Sequence, residues 1–120
     1  MRSAVDAVAR HADPGTYAII PTSRDLEALV DKRFEWQAKA YRWYAVISRG
    51  DHIHAVADIE GHRISLQRFV LKLQNPAATY DDLKHVSFVN KLSLDCRLSN
   101  LEDRVGRQAT MRNRRPKRNT

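Results

Sequence analysis

Cysteine is all but missing from this chain: Cys96 is the single one in 120 residues, which excludes an intramolecular disulfide and a zinc site caged by several thiolates. A reducing compartment is the expected setting. No apolar run approaches the ~20 residues that a membrane-spanning helix needs, so no membrane partner is expected. Glycine and proline are sparse, at four each, and no internal repeat or low-complexity stretch precedes the C-terminal tail. With 42% hydrophobic and 29% charged residues the composition is that of an ordinary globular protein, and 120 residues suffice for one domain with a modest core.

The most telling shortage is of acid at the C-terminal end. Residues 1–103 hold 14 Lys or Arg against 14 Asp or Glu, a balance of zero. Arg104, Arg107, Arg112, Arg114, Arg115, Lys117 and Arg118 follow with no carboxylate among them, so the whole net charge of +7 lies there. Such a block neutralises phosphates and releases their counterions, giving affinity without sequence specificity, and nucleic acid, DNA or RNA, is the expected partner. A solvated tail without a partner is the competing reading.

The N-terminal MRSAVDAVARHA can form an amphipathic helix; it lacks the long apolar core of a secretory signal and carries Asp6, while a mitochondrial presequence is the alternative. Asp13-Pro14-Gly15 signals a turn, and Tyr17 to Ile20 reads as a strand ended by Pro21. Asp25 to Val30 is ambiguous between helix and strand. Asp31 is expected to cap a helix from about Lys32 to Ala40. Val46 and Ile47 predict a strand, the Arg49-Gly50-Asp51 turn a hairpin, and His52 to Ile59 its return; Glu60-Gly61 turns again before Arg63 to Ser65. Leu66, Phe69, Val70 and Leu73 share one face of a core-facing helix that Asn75-Pro76 breaks, and Ala77 to Asp82 is a loop. Over Ser87 to Leu101 and the basic segment that follows it, a short extended piece, a polar turn, a second short piece and then a helix are expected.

Two groups of side chains suggest function. His52 and His54 share a strand face at a spacing that can bind metal, but no third ligand is near in sequence, so they are read as surface polar residues. Phe34, Trp36, Tyr41, Trp43 and Tyr44 can stack bases or fill a core, and core volume is the favoured role.

Three stretches together resemble a known family. Tyr41-Arg42-Trp43-Tyr44-Ala45 matches a "ykWya" pattern, and Leu66-Gln67-Arg68-Phe69-Val70-Leu71 matches an "LHRxVL" helix. Val86-Ser87-Phe88-Val89-Asn90, Leu94-Asp95-Cys96-Arg97 and Ser99-Asn100-Leu101 match a core of the form "vDHinxxxlDNRrsNLr". From Tyr17 to about Arg115 the chain thus resembles the HNH endonucleases found free-standing in phages and inside introns. The resemblance implies an α+β fold: a small antiparallel sheet with helices, then a degenerate ββα-metal motif and a basic C-terminal tail. Residues 1–16 would be an N-terminal extension, 17–115 the HNH-like domain and 116–120 the tail.

In that family one divalent cation is held by the motif Asp and by a residue of the last helix, and the motif His takes a proton from the attacking water. The Asp falls here on Ser87, the general base on Phe88 and the helix ligand on Ala109, where Gln108-Ala109 and Asn113-Arg114-Arg115 stand; only Asn100 is retained. The upstream motif His falls on Gln67. Phe88 accepts no proton, Ala109 has no donor atom, and Ser87 is a weak ligand for a hard cation. The resemblance therefore implies a catalytically inactive relative without metal or other cofactor, which binds nucleic acid through its basic last helix and tail. Its setting is the cytoplasm, or that of the host if the chain is phage-encoded. Two alternatives stand beside this: a factor docking on a protein assembly through the surface around Phe88, and a residual nicking enzyme in which His85, Asp82 and Asp95 rebuild a site. Strand alternation argues against the latter, since His85 lies an odd number of residues from Phe88. Asp95 matches a bracing position.

Overall fold

Ala18 and Ile20 point inward from a strand whose other face, at Ile19, meets water, the alternation that a half-buried strand requires. In the computed structural model, which describes residues 4–48, 50 and 52–103, this strand is β1 (Tyr17–Pro21). It pairs antiparallel with β2 (Glu27–Asp31), so the ambiguous segment is a strand. Ala28, Leu29 and Val30 are all fully buried, so β2 shows no alternation. Pro21 does not stop β1 before itself but forms its last rung, opposite Glu27. The turn between the strands places Arg24 and Asp25 at φ 61° and 56°, a conformation usually given to glycine, with Leu26 N donating to Ser23 O at 3.3 Å.

Among the described residues three short α-helices accompany the sheets. α1 (Ala4–Ala9) puts Ala4 and Val8 into the core and packs against β2. A single 3-10 turn, Lys32–Phe34, precedes α2 (Glu35–Lys39), which is shorter than expected. Asp31 does not cap it; the carboxylate accepts instead from Leu98 N at 2.8 Å, a bond across the fold that local sequence does not foretell. α3 (Leu66–Gln74) buries Leu66, Phe69 and Val70, keeps Leu73 half-covered, and ends where Asn75 N donates to Leu71 O at 2.9 Å.

The hairpin expected in mid-chain forms a three-stranded antiparallel sheet of β3 (Tyr44–Ile47), β4 (Ile53–Ile59) and β5 (His62–Ser65) in that order. Ala55, Ala57 and Ile59 share one face of β4, all buried, and α3 packs on β4 and β5. After a 3-10 turn at Asp81–Leu83, β6 (Val86–Phe88) pairs antiparallel with β7 (Leu101–Asp103). The fold is α+β, with three small antiparallel sheets among the described residues rather than one. No described helix is long and apolar enough to cross a membrane. The helix expected after Leu101 lies outside the described residues, as does part of the turn at Arg49-Gly50-Asp51.

The aromatic cluster divides. Trp43 is 3% exposed, donates its indole N–H to Ala38 O at 2.7 Å and meets Phe69 edge-on at 5.4 Å between ring centroids, while Phe34 is buried beside it in the same core. Trp36 is 84% exposed, and Tyr41 and Tyr44 are partly exposed. Trp43→Ala should therefore lower the unfolding free energy by about 3–5 kcal/mol in urea titration, whereas Trp36→Ala should leave it within ~0.5 kcal/mol. A reversed order would contradict this assignment of core and surface.

Candidate functional site

The segment from Phe88 to Leu101 is held by one buried carboxylate. Asp95 is fully buried, and Arg97 closes on it as a fork, Nε donating to Oδ1 at 2.8 Å and Nη2 to Oδ2 at 2.7 Å. Asn90 Nδ2 adds a bond to Oδ2 at 2.8 Å. Asn100 joins the two sides of the loop: its Nδ2 donates to Asp95 O and its Oδ1 accepts from Asn90 N, both at 2.8 Å. Lys91, at φ 67°, turns the chain so that its N–H donates to Phe88 O at 3.0 Å. The same segment docks on β2, where Leu29 N donates to Leu94 O and Cys96 N to Leu29 O, each at 2.8 Å. Burial and the neighbouring Asp95 carboxylate push the Cys96 thiol far up, so it is a core side chain rather than a nucleophile.

Ser87 and Phe88 lie side by side on β6, both half-buried, opposite Glu102 and Leu101 of β7. Phe88 packs against the core, and on its other side meets the imidazole of His54 at 6.2 Å between centroids. His54 in turn faces His52 at 6.4 Å. The sequence places these histidines on one face but does not bring them to Phe88; that requires the sheet of β3 to β5 to stand against β6. Burial, with the His52 charge second, lowers the His54 pKa, and its Nδ1 is buried without a hydrogen-bond partner among the described residues. Gln67 Oε1 shares that condition.

The residues at this place do not fit a divalent cation. Ser87 offers a neutral oxygen and Phe88 only carbon, and no group of three or more His, Cys, Asp or Glu among the described residues is arranged to hold a metal ion. The carboxylates considered for a rebuilt site are already engaged. Asp95 is committed to Arg97 and Asn90, and Asp82 accepts from Thr79 N at 3.0 Å, which lowers its pKa. His85 is exposed, one residue before β6. Ala109 and the cations Arg104, Arg107, Arg112, Arg114, Arg115, Lys117 and Arg118 lie outside the described residues. Comparison with protein-family models, curated proteins and solved structures gives no match for this chain.

Two outcomes follow from the geometry. Asp95→Ala strands the Arg97 guanidinium and unties Asn90, and should cost about 3–5 kcal/mol in urea titration; a loss below ~1 kcal/mol would show that the network does not support the loop. His54 is held below the ordinary histidine value of 6.5, so the unfolded chain binds its proton first as pH falls. The native chain should therefore lose stability as pH drops below about 6.5, until the folded-state pKa is passed. The difference in melting temperature between the native chain and His54→Gln should change over that range, and a constant difference would remove His54 as its source.

Proposed function

We propose that this chain is a catalytically inactive HNH-endonuclease-like protein that binds nucleic acid through the basic segment after Asp103. The observation that carries the reading is the segregation of charge: zero balance through residue 103, then seven cations and no acid. The bracing set Asn90, Asp95, Arg97 and Asn100 supports the likeness, because its bonds serve a loop at the place where the family's site would stand. Ser87 and Phe88 support the loss of chemistry. Neither takes a proton from water at neutral pH, and Phe88 is packed against the core with His54 over it.

Arg104, Arg107, Arg112, Arg114, Arg115, Lys117 and Arg118 contact phosphates in this reading, which makes binding strongly dependent on salt. If about six or seven contacts form, affinity for a DNA or RNA duplex falls by roughly 10³-fold between 50 and 200 mM salt. Ending the chain after Asp103, or changing the seven cations to Gln, removes most of that affinity. Filter binding or anisotropy over a salt series checks it, and unchanged affinity in either variant would refute the role of the tail. The same preparations should leave supercoiled DNA and RNA intact with magnesium, manganese or zinc; nicking that disappears in His85→Ala would restore an enzyme.

A further inference from the structure

Residues 32–44, KRFEWQAKAYRWY, interleave cations with aromatics, and the fold gives that pattern a shape. Two grooves adjoin along this segment and share Ala40 and Tyr41 among their lining residues. One, of about 800 Å³, lies between α2 and α3, floored by Phe69 and Leu73 and flanked by Trp36 and Tyr80. The other, of about 570 Å³, runs from the end of β1 to the start of β3, past Tyr41 and Tyr44.

The charge of both grooves has one sign. Arg33 and Lys72 line the first, Lys39 and Arg42 the second, and no carboxylate among the described residues lines either. This is a local segregation, since the first 103 residues as a whole are balanced. The nearby Glu35 lines neither groove; Lys32 and Lys39 share it and hold its pKa down at about 2, leaving one cation in excess there. Arg42 lies over the Tyr44 ring at 5.8 Å, a cation beside an aromatic face.

Trp36 is the observation that needs an occupant. An indole is the largest apolar side chain available, and 84% exposure on α2 leaves it without the burial that usually accounts for one. Its helical neighbours Phe34 and Ala38 are buried, so the face that serves the core is complete without it. Flat faces beside cations suit a polymer that carries unpaired bases and phosphates together. A duplex hides its base faces in the stack, and a proline-rich peptide, which also takes aromatic grooves, has no anion for Arg33, Arg42 and Lys72.

We propose that Trp36, Tyr41 and Tyr44 form a stacking platform for a single-stranded nucleic acid. Arg33, Arg42 and Lys72 attract its phosphates along the two grooves, while Lys39 is paired with Glu35. This surface lies apart from the basic tail and shares with it only the class of polymer, so each stands or falls on its own residues.

The test uses the full chain with an oligothymidylate of about 12 nucleotides, followed by tryptophan fluorescence and by anisotropy of a labelled oligonucleotide. Stacking should quench Trp36, and Trp36→Ala and Tyr41→Ala should each weaken binding by about 5- to 150-fold. Affinity for a duplex of the same length should stay unchanged, with circular dichroism confirming that both variants fold. Full affinity in both variants overturns the platform. Quenching of Trp36 by a proline-rich or acidic peptide but not by the oligonucleotide also overturns it. A chain with the seven tail cations changed to Gln separates the two readings. If only the tail reading fails, that chain binds duplex as the native one does while Trp36→Ala still loses the single strand. If only the platform fails, the pattern reverses.

Discussion

A carboxylate with no access to water must be answered within the protein, and Asp95 is that carboxylate here. An unpaired buried charge costs several kcal/mol, a large part of the roughly 5–15 kcal/mol that holds a small domain together. The cost is met by the Arg97 fork, which reaches Asp95 from two residues away, and by Asn90, which reaches it from five residues away because the chain turns between them. Asn100 closes the arrangement by bonding to both arms. Pairing of β6 with β7 follows, since Val89 N reaches Asn100 O at 2.8 Å at the end of their ladder. So does attachment to the rest of the molecule. The strand-like run at 94–96 adds to β2, and the Asp31 carboxylate takes the next free N–H, that of Leu98.

The hydrogen bonds that brace this loop do not use the side chain of Phe88. Asp95, Asn90 and Asn100 bond among themselves, while Phe88 on β6 packs against the core and the His54 ring. Phe88 can pack against His54 without disturbing a bond to Asp95. That independence makes intelligible, within the proposed reading, a scaffold that persists after its reactive side chains are exchanged. It also accounts for His54: an imidazole partly desolvated against a phenyl ring is more stable neutral.

How much of this was legible in the sequence varied with how local the cause was. The α3 face was legible, because Leu66, Phe69, Val70 and Leu73 repeat at helical spacing and bury as that spacing requires. The hairpin of β3 and β4 and the strand β5 were legible from turn residues and β-branched content. β2 was not, since the burial of Ala28, Leu29 and Val30 erases the alternation that marks a strand, and its turn uses Arg24 and Asp25 where glycine would have given a signal. Asp31 followed the same logic: a cap by local rule, it was claimed by Leu98, 67 positions away. In the aromatic cluster the sequence carries a local signal for the exposure of Trp36. Phe34 and Ala38 stand four apart on a helical face, which turns Trp36 away from the core.

By itself the sequence determined the charge segregation, the single cysteine, Ser and Phe at positions 87 and 88, and the presence of Asp95, Arg97 and Asn100, since each is a matter of which side chains are present. Only the tertiary structure decided which partners those side chains meet. Burial makes Asp95 the centre of a bonded network rather than one acid among fourteen, and sheet packing brings His54 to Phe88. The division of five aromatics into core and surface was decided in the same way, because exposure belongs to the faces that elements turn toward one another and not to the residue type.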